Sequence, residues 1–293
     1  MTVLTLPNQA QVKRIVSQVD NLKPLPSSIT RALKMMDDPE ASFDQLVSIL
    51  QVDQALTVRI LKQANSAYYG FRAPASTLQE GIIRLGMRRL KNILLTLSFS
   101  STLGRRLAGY NLGHGDLWRH SVAVAMVAQR LAERVHYANV DEAYVAGLLH
   151  DLGKLVLDQH FKIDWTQVLE AGREFQLSLI DVEEKLFEMN HAQVGGELAQ
   201  RWELPVELID AIAYHHMPVM AKTAAKLTAI VHIADILALR LGIGLTDEAF
   251  LPEPQESALT LLNLKLDEVD NLAQVYKKML ILSMVVNEDI MPS

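Results

Sequence analysis

Seven side chains that could bind a divalent metal lie between residues 120 and 235, on five separate helical segments. They are His120, His150, Asp151, His191, His215, His216 and Asp235. Neutral imidazole and carboxylate are natural ligands of iron, manganese, zinc, nickel and cobalt, and facing helices of a bundle can project such side chains into one interior. The chain has no cysteine, so thiolate zinc sites, iron–sulfur clusters and disulfides are excluded. We expect one or two divalent metal ions held by nitrogen and oxygen.

Two of the candidates stand directly beside another candidate, His150 beside Asp151 and His215 beside His216. Neighbours on an ideal helix point about 100° apart, so both members of a pair can reach a metal that lies between their directions. Lys154 follows His150 by four residues on the same face, where it could contact a phosphate oxygen or complete a polar network. Asp151 and Lys154 are therefore the candidate catalytic residues.

Charge decides which ligand such a site would attract. Two divalent ions outweigh the two ligand carboxylates, Asp151 and Asp235, and leave a net positive charge that attracts phosphate and lowers the pKa of a bridging water. One ion would only balance the carboxylates, and the attraction would then depend on Lys154 and nearby basic groups. A nucleotide or another phosphate is the small ligand that this charge pattern favours.

The elements that must position these side chains are helices. The apolar pattern is helical almost throughout, without alternating strands joined by hairpin turns, which predicts an all-α fold. Helix starts are predicted at Ser42 to Gln45 and at Thr77 to Glu80, and Pro205 opens the segment PVELIDAIAYHH. The glycines of GYNLGHGD predict a boundary between a helical N-terminal part, residues 1–110, and a metal-site part with a helical tail, residues 111–293.

Composition narrows the class of protein. The chain has 293 residues and is 49% hydrophobic, which is enough for a buried core. Its net charge of −6 gives no general attraction to nucleic acid or to an anionic membrane. The N-terminus lacks the pattern of a secretory signal, and no apolar run approaches the ~20 residues that span a bilayer. These features predict a bacterial cytoplasmic protein.

The order His, His-Asp and a distant Asp resembles the HD superfamily of metal-dependent phosphohydrolases. The first half resembles the HDOD branch through LPSSITRALKMMDDPEASFDQLVSILQVDQALTVRILKQANSAYYG, TLQEGIIRLGMRRLKN and WRHS. The match runs from about residue 25 to residue 239. It implies a multi-helix HD-like bundle packed with a helical N-terminal subdomain. It also implies a first metal on His120, His150, Asp151 and Asp235, and a second on His191, His215 and His216, with Asp151 bridging.

The resemblance implies a signalling or regulatory protein with a protein partner, because HDOD proteins are generally regarded as signalling modules. The alternative is a metal-dependent phosphohydrolase, a nucleotide phosphodiesterase or a phosphatase. The related cyclic-dinucleotide phosphodiesterases carry a Gly-Tyr-Pro motif after their histidine pair, whereas here the pair is followed by MPVMAKTAAKLTAIV. Hydrolysis of cyclic di-GMP is therefore not the favoured activity. A metal-free scaffold, in which the cluster satisfies its own hydrogen bonds, is a third hypothesis.

The remaining polar candidates have simpler interpretations. His232 is either a partner of Asp235 or a packing residue, and Asp116 is expected to be a first-turn acid of a helix. Solvated or ordinary hydrogen-bonded positions are expected for the others, namely His114, His136, His160, Arg88, Arg89 and Lys91.

Overall fold

The structure, a computed structural model, describes residues 14, 16–17, 27–36, 38, 40–66, 73–161, 164–244, 247 and 250–288, with the backbone alone at 27, 30 and 281–288. The predicted all-α fold is confirmed, because the described residues form helices and no strand; one isolated antiparallel bridge joins Leu107 to Leu112. The described residues divide into two compact units, which fall within residues 23–102 with 278–293 and within residues 103–277 with 1–22. The division predicted at residue 110 stays a prediction.

The described residues of segment 23–102 form four helices. They are α1 (Ser27–Met36), α2 (Phe43–Gln51), α3 (Gln54–Ala64) and α4 (Leu78–Leu103), which ends one residue beyond the unit. The helix α4 is kinked at Gly86, whose φ of 76° is open to glycine without steric cost. The core of this unit consists of fully buried aliphatic side chains, among them Leu50, Ile60, Ile82, Leu90 and Leu94.

The two predicted helix starts in this unit are found, although only one is capped by a side chain. Ser42 stands at the N-cap of α2 but its hydroxyl makes no capping bond. Thr77 accepts the backbone N–H of Glu80 on Oγ1 at 3.1 Å at the start of α4. Asp53 caps α3 by accepting the N–H of Leu56 at 2.9 Å, which satisfies one of the donors that a helix start leaves free.

The unit of residues 103–277 carries all seven candidate ligands. Its helices are α5 (Asp116–Arg134), α6 (Val140–Leu149), α7 (Leu152–His160), α8 (Trp165–Phe175), α9 (Leu179–Phe187), α10 (His191–Arg201), α11 (Val206–Tyr214), α12 (Ala225–Arg240), α13 (Glu256–Leu262) and the first part of α14 (Leu266–Glu288). Pro205 stands one residue before α11, at its N-cap.

The helix α12 lies at the centre of this unit. It packs against α5, α6, α11 and α13, and every residue from 227 to 238 is buried. A helix that is apolar all round is buried on all sides, and the sequence AKLTAIVHIADILALR has this character. Asp235 and His232 are therefore polar groups inside a core, where each needs a partner. No described helix is long and apolar enough to cross a membrane.

Candidate metal centre

Helix breaks and helix ends supply most of the candidate ligands. His150 and Asp151 form the break between α6 and α7, His191 is the first residue of α10, and His215 and His216 directly follow α11. The other two ligands come from the middle of two packed helices, His120 from α5 and Asp235 from α12. All seven are buried except His216, which is half-buried.

The start of α10 is fixed by a capping box. Asn190 accepts the N–H of Gln193 at 2.9 Å, and Gln193 accepts the N–H of Asn190 at 3.2 Å. His191 thus enters the helix at its first position, where its own N–H has no helical acceptor. A carboxylate oxygen of Glu183 accepts that N–H at 2.7 Å, so the residue is held at both its backbone and its side chain.

Two glycines allow the backbone to approach these histidines closely. A Cβ on Gly153 would lie 1.9 Å from the carbonyl oxygen of His191. A Cβ on Gly244, whose φ is 112°, would lie 2.5 Å from Nδ1 of His120. Both positions need glycine, because no side chain can occupy space that another atom already fills.

Three of the candidates form a first group around His120. Its Nε2 lies 3.2 Å from Nε2 of His150 and 3.1 Å from Oδ1 of Asp235. The Nε2 of His150 lies 3.8 Å from the same carboxylate oxygen. These atoms are close enough to ligate one ion.

The remaining three histidines form a second group. Nε2 of His191 lies 2.9 Å from Nε2 of His216, and the rings of His215 and His216 are 4.0 Å apart between centroids. Ligand atoms of all three come within 4.8 Å of one another.

Asp151 lies between the two groups and turns one oxygen to each. Its Oδ2 is 3.5 Å from Nε2 of His120 and 3.4 Å from Nε2 of His150. Its Oδ1 is 3.2 Å from Nε2 of His191 and 3.9 Å from Nε2 of His215. A carboxylate placed in this way can ligate two ions at once, one through each oxygen.

The hydrogen bonds fix which ring nitrogens carry lone pairs. Four histidines turn Nδ1 to an oxygen acceptor at 2.7–2.9 Å: His120 to Ile243, His150 to Gly147, His191 to Glu183 and His215 to Ile212. A nitrogen that faces an acceptor carries the proton, so in each neutral ring Nε2 is the free base. Metal-ligating histidines are held in this way, with the outer nitrogen donating to a carbonyl or a carboxylate.

A cation would satisfy atoms that the described residues leave unsatisfied. Oδ1 of Asp151 and Nε2 of His215 are buried and make no hydrogen bond; the 3.2 Å approach of His191 to Asp151 lacks hydrogen-bond geometry. Lone pairs of His120 and His150 also face each other at 3.2 Å. Such an arrangement is unfavourable unless a positive charge lies among the atoms. The donor set therefore fits a divalent metal.

The pKa values of the carboxylates suit them to ligand roles. Burial alone would raise the pKa of Asp151, but the charges of His150 and Lys154 hold it well below its usual range. Burial likewise opposes the charged form of Asp235, and the contact with His120, whose Nε2 lies 3.1 Å away, outweighs it and lowers the pKa. Both are anionic at neutral pH.

The histidine pair is kept neutral. Burial, assisted by the neighbouring His150 and His191, lowers the pKa of His215 well below its ordinary value. Burial and His215 do the same to the pKa of His216. Neutral imidazole is the form that binds metal.

Lys154 takes one of the two roles that its spacing predicts. Its Nζ donates to Oδ2 of Asp151 at 2.6 Å in a buried ion pair. Burial alone would lower the pKa of Lys154, and the charge of Asp151 raises it instead. The polar-network role is therefore seen directly, and contact with a phosphate stays a prediction.

A pocket of about 610 Å³ opens beside the cluster, with Lys154, His216 and Asp235 among its lining residues. Two elements line most of the rest, the turn between α8 and α9 and the segment after Phe250. The cluster is therefore accessible from one side, through these three side chains.

Comparison with known proteins decides the family. A model of the HDOD domain matches residues 22–218, more than half of the chain. The chain belongs to the HDOD domain family. The resemblance seen in its sequence is thus confirmed, and the helical fold is the one found in solved HDOD structures.

Two curated proteins are similar to this HDOD chain. An uncharacterised protein of Treponema pallidum (strain Nichols) is 28% identical over 203 residues, which cover 69% of the chain and 39% of that protein. Ribonuclease Y of Mycoplasmoides gallisepticum is 25% identical over 298 residues, which cover 98% of the chain and 47% of that protein. The chain thus spans less than half the length of either relative.

Two solved structures share its fold. An HDOD domain protein of unknown function from Geobacter sulfurreducens has a TM-score of 0.66 and 28% identity, and covers 96% of this chain and 94% of its own. A protein from Marinobacter aquaeolei VT8, named as a signal transduction protein, has a TM-score of 0.70 and 20% identity, with coverages of 97% and 67%. At 20% identity the second comparison shows the fold alone.

Glu183 is a site residue of this HDOD chain that the sequence did not point out. It is buried on α9, and one carboxylate oxygen accepts both the backbone N–H and the Nδ1–H of His191 at 2.7 Å. Its other oxygen accepts the hydroxyl of Tyr110 at 2.7 Å. The available signal was a charged residue on the apolar face of an amphipathic helix, beside Leu179 and Val182.

His232 has a positioning role at the backbone. Its Nδ1 donates to the carbonyl oxygen of His215 at 2.8 Å, and its Nε2 accepts the N–H of Gln255 at 3.1 Å. Gln255 also donates its side-chain amide to the carbonyl oxygen of His216 at 2.6 Å. These bonds hold the histidine pair in place from the side of α12.

The other polar candidates stand apart from the cluster. Asp116 accepts the N–H of Gly113 at 2.6 Å and pairs with Arg119, as expected of a first-turn acid. None of the others belongs to a group of described residues that could hold a metal. The exposed ones are His114, His136, His160, Arg88 and Arg89, and Lys91 is half-buried.

We predict that Glu183→Gln weakens metal binding by roughly 10- to 100-fold, because the outer partner of a ligating histidine fixes its ring and raises its basicity. Glutamine keeps the size of the side chain but removes the charge. Titration of the metal-free protein with Zn²⁺, followed by calorimetry, measures the change. Glu184→Gln is the matched control, since the neighbouring Glu184 accepts from Asn190 and does not touch a ligand. Equal affinities in the two variants would contradict the role of Glu183.

Proposed function

We propose that this chain is a signal-transduction protein of the HDOD type whose buried cluster binds divalent metal. The observation that carries the proposal is the position of Asp151, with one oxygen toward each of two histidine groups. The first ion would be held by His120, His150, Asp151 and Asp235, and the second by Asp151, His191, His215 and His216. Membership of the HDOD family, and a fold shared with a protein named for signal transduction, support the regulatory role.

In this proposal the protein works in the bacterial cytoplasm and passes its state to a protein partner. The metal, when bound, supplies positive charge that polarises a phosphate group. The chain's own residues do the rest: Asp151 and Asp235 stay ionised, His215 and His216 stay neutral, and Lys154 holds Asp151 in place. Nucleotide or phosphate binding would then be a signal that the protein reads.

A metal-dependent phosphohydrolase is the second candidate. The pocket favours it, because it gives a ligand access to Lys154, His216 and Asp235. The similarity to a protein named ribonuclease Y adds support for phosphodiester chemistry. The absence of Gly-Tyr-Pro from the residues after His216 counts against the hydrolysis of cyclic di-GMP.

A panel of nucleotides and cyclic dinucleotides separates the two. We expect the purified protein, loaded with iron, manganese or nickel and checked for metal content, to bind metal without turning over any member of the panel. Turnover by the wild type that is lost in Asp151→Ala would overturn the regulatory proposal in favour of the phosphohydrolase. Failure to retain metal after reloading would sink both and leave a structural scaffold.

A further inference from the structure

The pocket beside the cluster changes in chemistry from its deep end to its mouth. The deep end is polar and buried, with Lys154 and Asp235. The walls are apolar, with Leu179, Leu239 and Phe250, and the mouth is exposed at Arg173. A pocket with a few convergent polar groups and an otherwise apolar lining is typical of a small-molecule site.

The apolar wall is centred on Phe250, whose ring is held by its neighbours. The ring packs against Gly172, where a Cβ would lie 2.4 Å from Cε1 of the phenylalanine. On another side it meets Trp165 edge to face, with centroids 5.6 Å apart. Because these contacts fix the ring, Phe250 presents a preformed apolar surface to a ligand. Little side-chain conformational entropy is therefore lost on binding.

Lys154 gives the deep end its preference for an anion. Its ammonium group has three N–H donors, and Asp151 is its hydrogen-bond acceptor among the described residues. The metals of the proposed site would add positive charge at the same end. A compact anionic group is therefore favoured there, whereas Leu179, Leu239 and Phe250 offer the remainder of the ligand an apolar surface.

We propose that this pocket binds an organic phosphate whose phosphoryl group lies at Lys154 and the metal centre and whose apolar or aromatic body packs on Phe250. The proposal rests on the metal site of the proposed function and adds to it the class of ligand and the residue that selects it. Inorganic phosphate would leave the apolar walls in contact with water, so it is the weaker ligand.

Phosphonates test this without hydrolysis, because their carbon–phosphorus bond is stable. Calorimetry on the metal-loaded protein compares phenylphosphonate, methylphosphonate and benzyl alcohol. We expect phenylphosphonate to bind roughly tenfold or more tightly than methylphosphonate, from the apolar area of one ring. Benzyl alcohol, which has no anionic head, should bind more weakly than either.

Variants test whether the apolar wall at Phe250 causes the preference for phenylphosphonate. Phe250→Ala should abolish the advantage of phenylphosphonate and leave methylphosphonate unchanged. Leu251→Asn, at an exposed position of the same pocket, should reduce the advantage and provides a second test if Phe250→Ala folds poorly. Phe175→Ala is the matched control, since Phe175 is 59% exposed and does not line the pocket.

The outcomes separate this inference from the proposed function. Equal affinities for the two phosphonates, or an unchanged preference in both wall variants, would overturn the inference while leaving the metal site intact. Benzyl alcohol binding as tightly as phenylphosphonate would overturn the claim that the deep end of the pocket binds an anionic group. Protein that retains no metal would instead refute the proposed function before any phosphonate is added.

Discussion

Replacing Asp151 with asparagine is expected to abolish both metal sites together, because this one carboxylate turns an oxygen to each group of histidines. The amide has nearly the same shape but lacks the negative charge that a divalent ion needs. Metal affinity should fall by more than the roughly 10- to 100-fold that is lost when a residue hydrogen-bonded to a metal ligand is replaced. Elemental analysis of the folded protein after reloading measures it.

The same substitution is expected to destabilise the metal-free protein. Lys154 is 7% exposed, and its ammonium group would lose its carboxylate partner inside the core. Breaking one half of a buried ion pair costs about 3–5 kcal/mol, whereas replacing both halves with apolar groups is often neutral. The double variant Asp151→Asn, Lys154→Met removes the unpaired buried ammonium group and should therefore recover most of the lost free energy of unfolding, measured in urea, without recovering metal.

Asp158→Asn is the control for both measurements. Asp158 lies on α7, the helix that follows Asp151; it accepts the N–H of Gly109 at 2.7 Å and is outside the metal-suited groups of the described residues. It should retain metal and most of its stability. If Asp151→Asn kept the metal content of this control, the bridging position of Asp151 would have no part in ligation.

The helical class and the polar candidates inside apolar helices were predictable because each depends on local pattern. Apolar residues at helical spacing indicated the fold class, and polar residues inside otherwise apolar helices, such as Asp235 in HIADILA, had to have partners. His120, His150 and Asp235 were predicted to meet, and they lie within 4.8 Å by their ligand atoms.

Glu183 was not predictable in the same way. Its partners, His191 and Tyr110, lie eight and 73 residues away, and no periodicity connects α9 with either. The role of Lys154 was open for a related reason. Spacing places it on the face of His150, but only the fold decides that its ammonium group reaches Asp151. Interactions between elements depend on packing, which a single sequence does not show.

Ser42 shows that a local sequence pattern can predict a helix start correctly and still be wrong about the side-chain bond there. A serine followed three residues later by glutamine predicts a capping box, and the helix does begin there, but the side chain makes no capping bond. The apolar face of α2, with Leu46 and Leu50 fully buried, is sufficient to place the helix. Packing of an apolar face contributes more to helix stability than a single cap does.

Gly153→Ala is expected to destabilise the protein by about 3 kcal/mol, the upper end of the usual cost of overpacking. The added Cβ would lie 1.9 Å from the carbonyl oxygen of His191 and 2.8 Å from the backbone nitrogen of Gly195. Backbone atoms cannot rotate away as a side chain can, so α7 and α10 must separate. This loss of stability is opposite in sign to the usual effect, because alanine at an ordinary helical position stabilises a protein by up to about 1 kcal/mol relative to glycine.

The substitution should also act selectively on metal. Separating α7 from α10 draws His191 away from Oδ1 of Asp151, whereas His120 and Asp235 lie on α5 and α12, away from the backbone atoms that the added Cβ would meet first. We therefore expect the metal content to fall from two ions to one in the fraction that remains folded. Gly81→Ala is the control, because its Cβ would make ordinary contacts at 3.4 Å on α4, and it should keep both stability and metal. Loss of both ions in Gly153→Ala, with stability unchanged, would contradict a site in which two groups of histidines bind separately through one shared carboxylate.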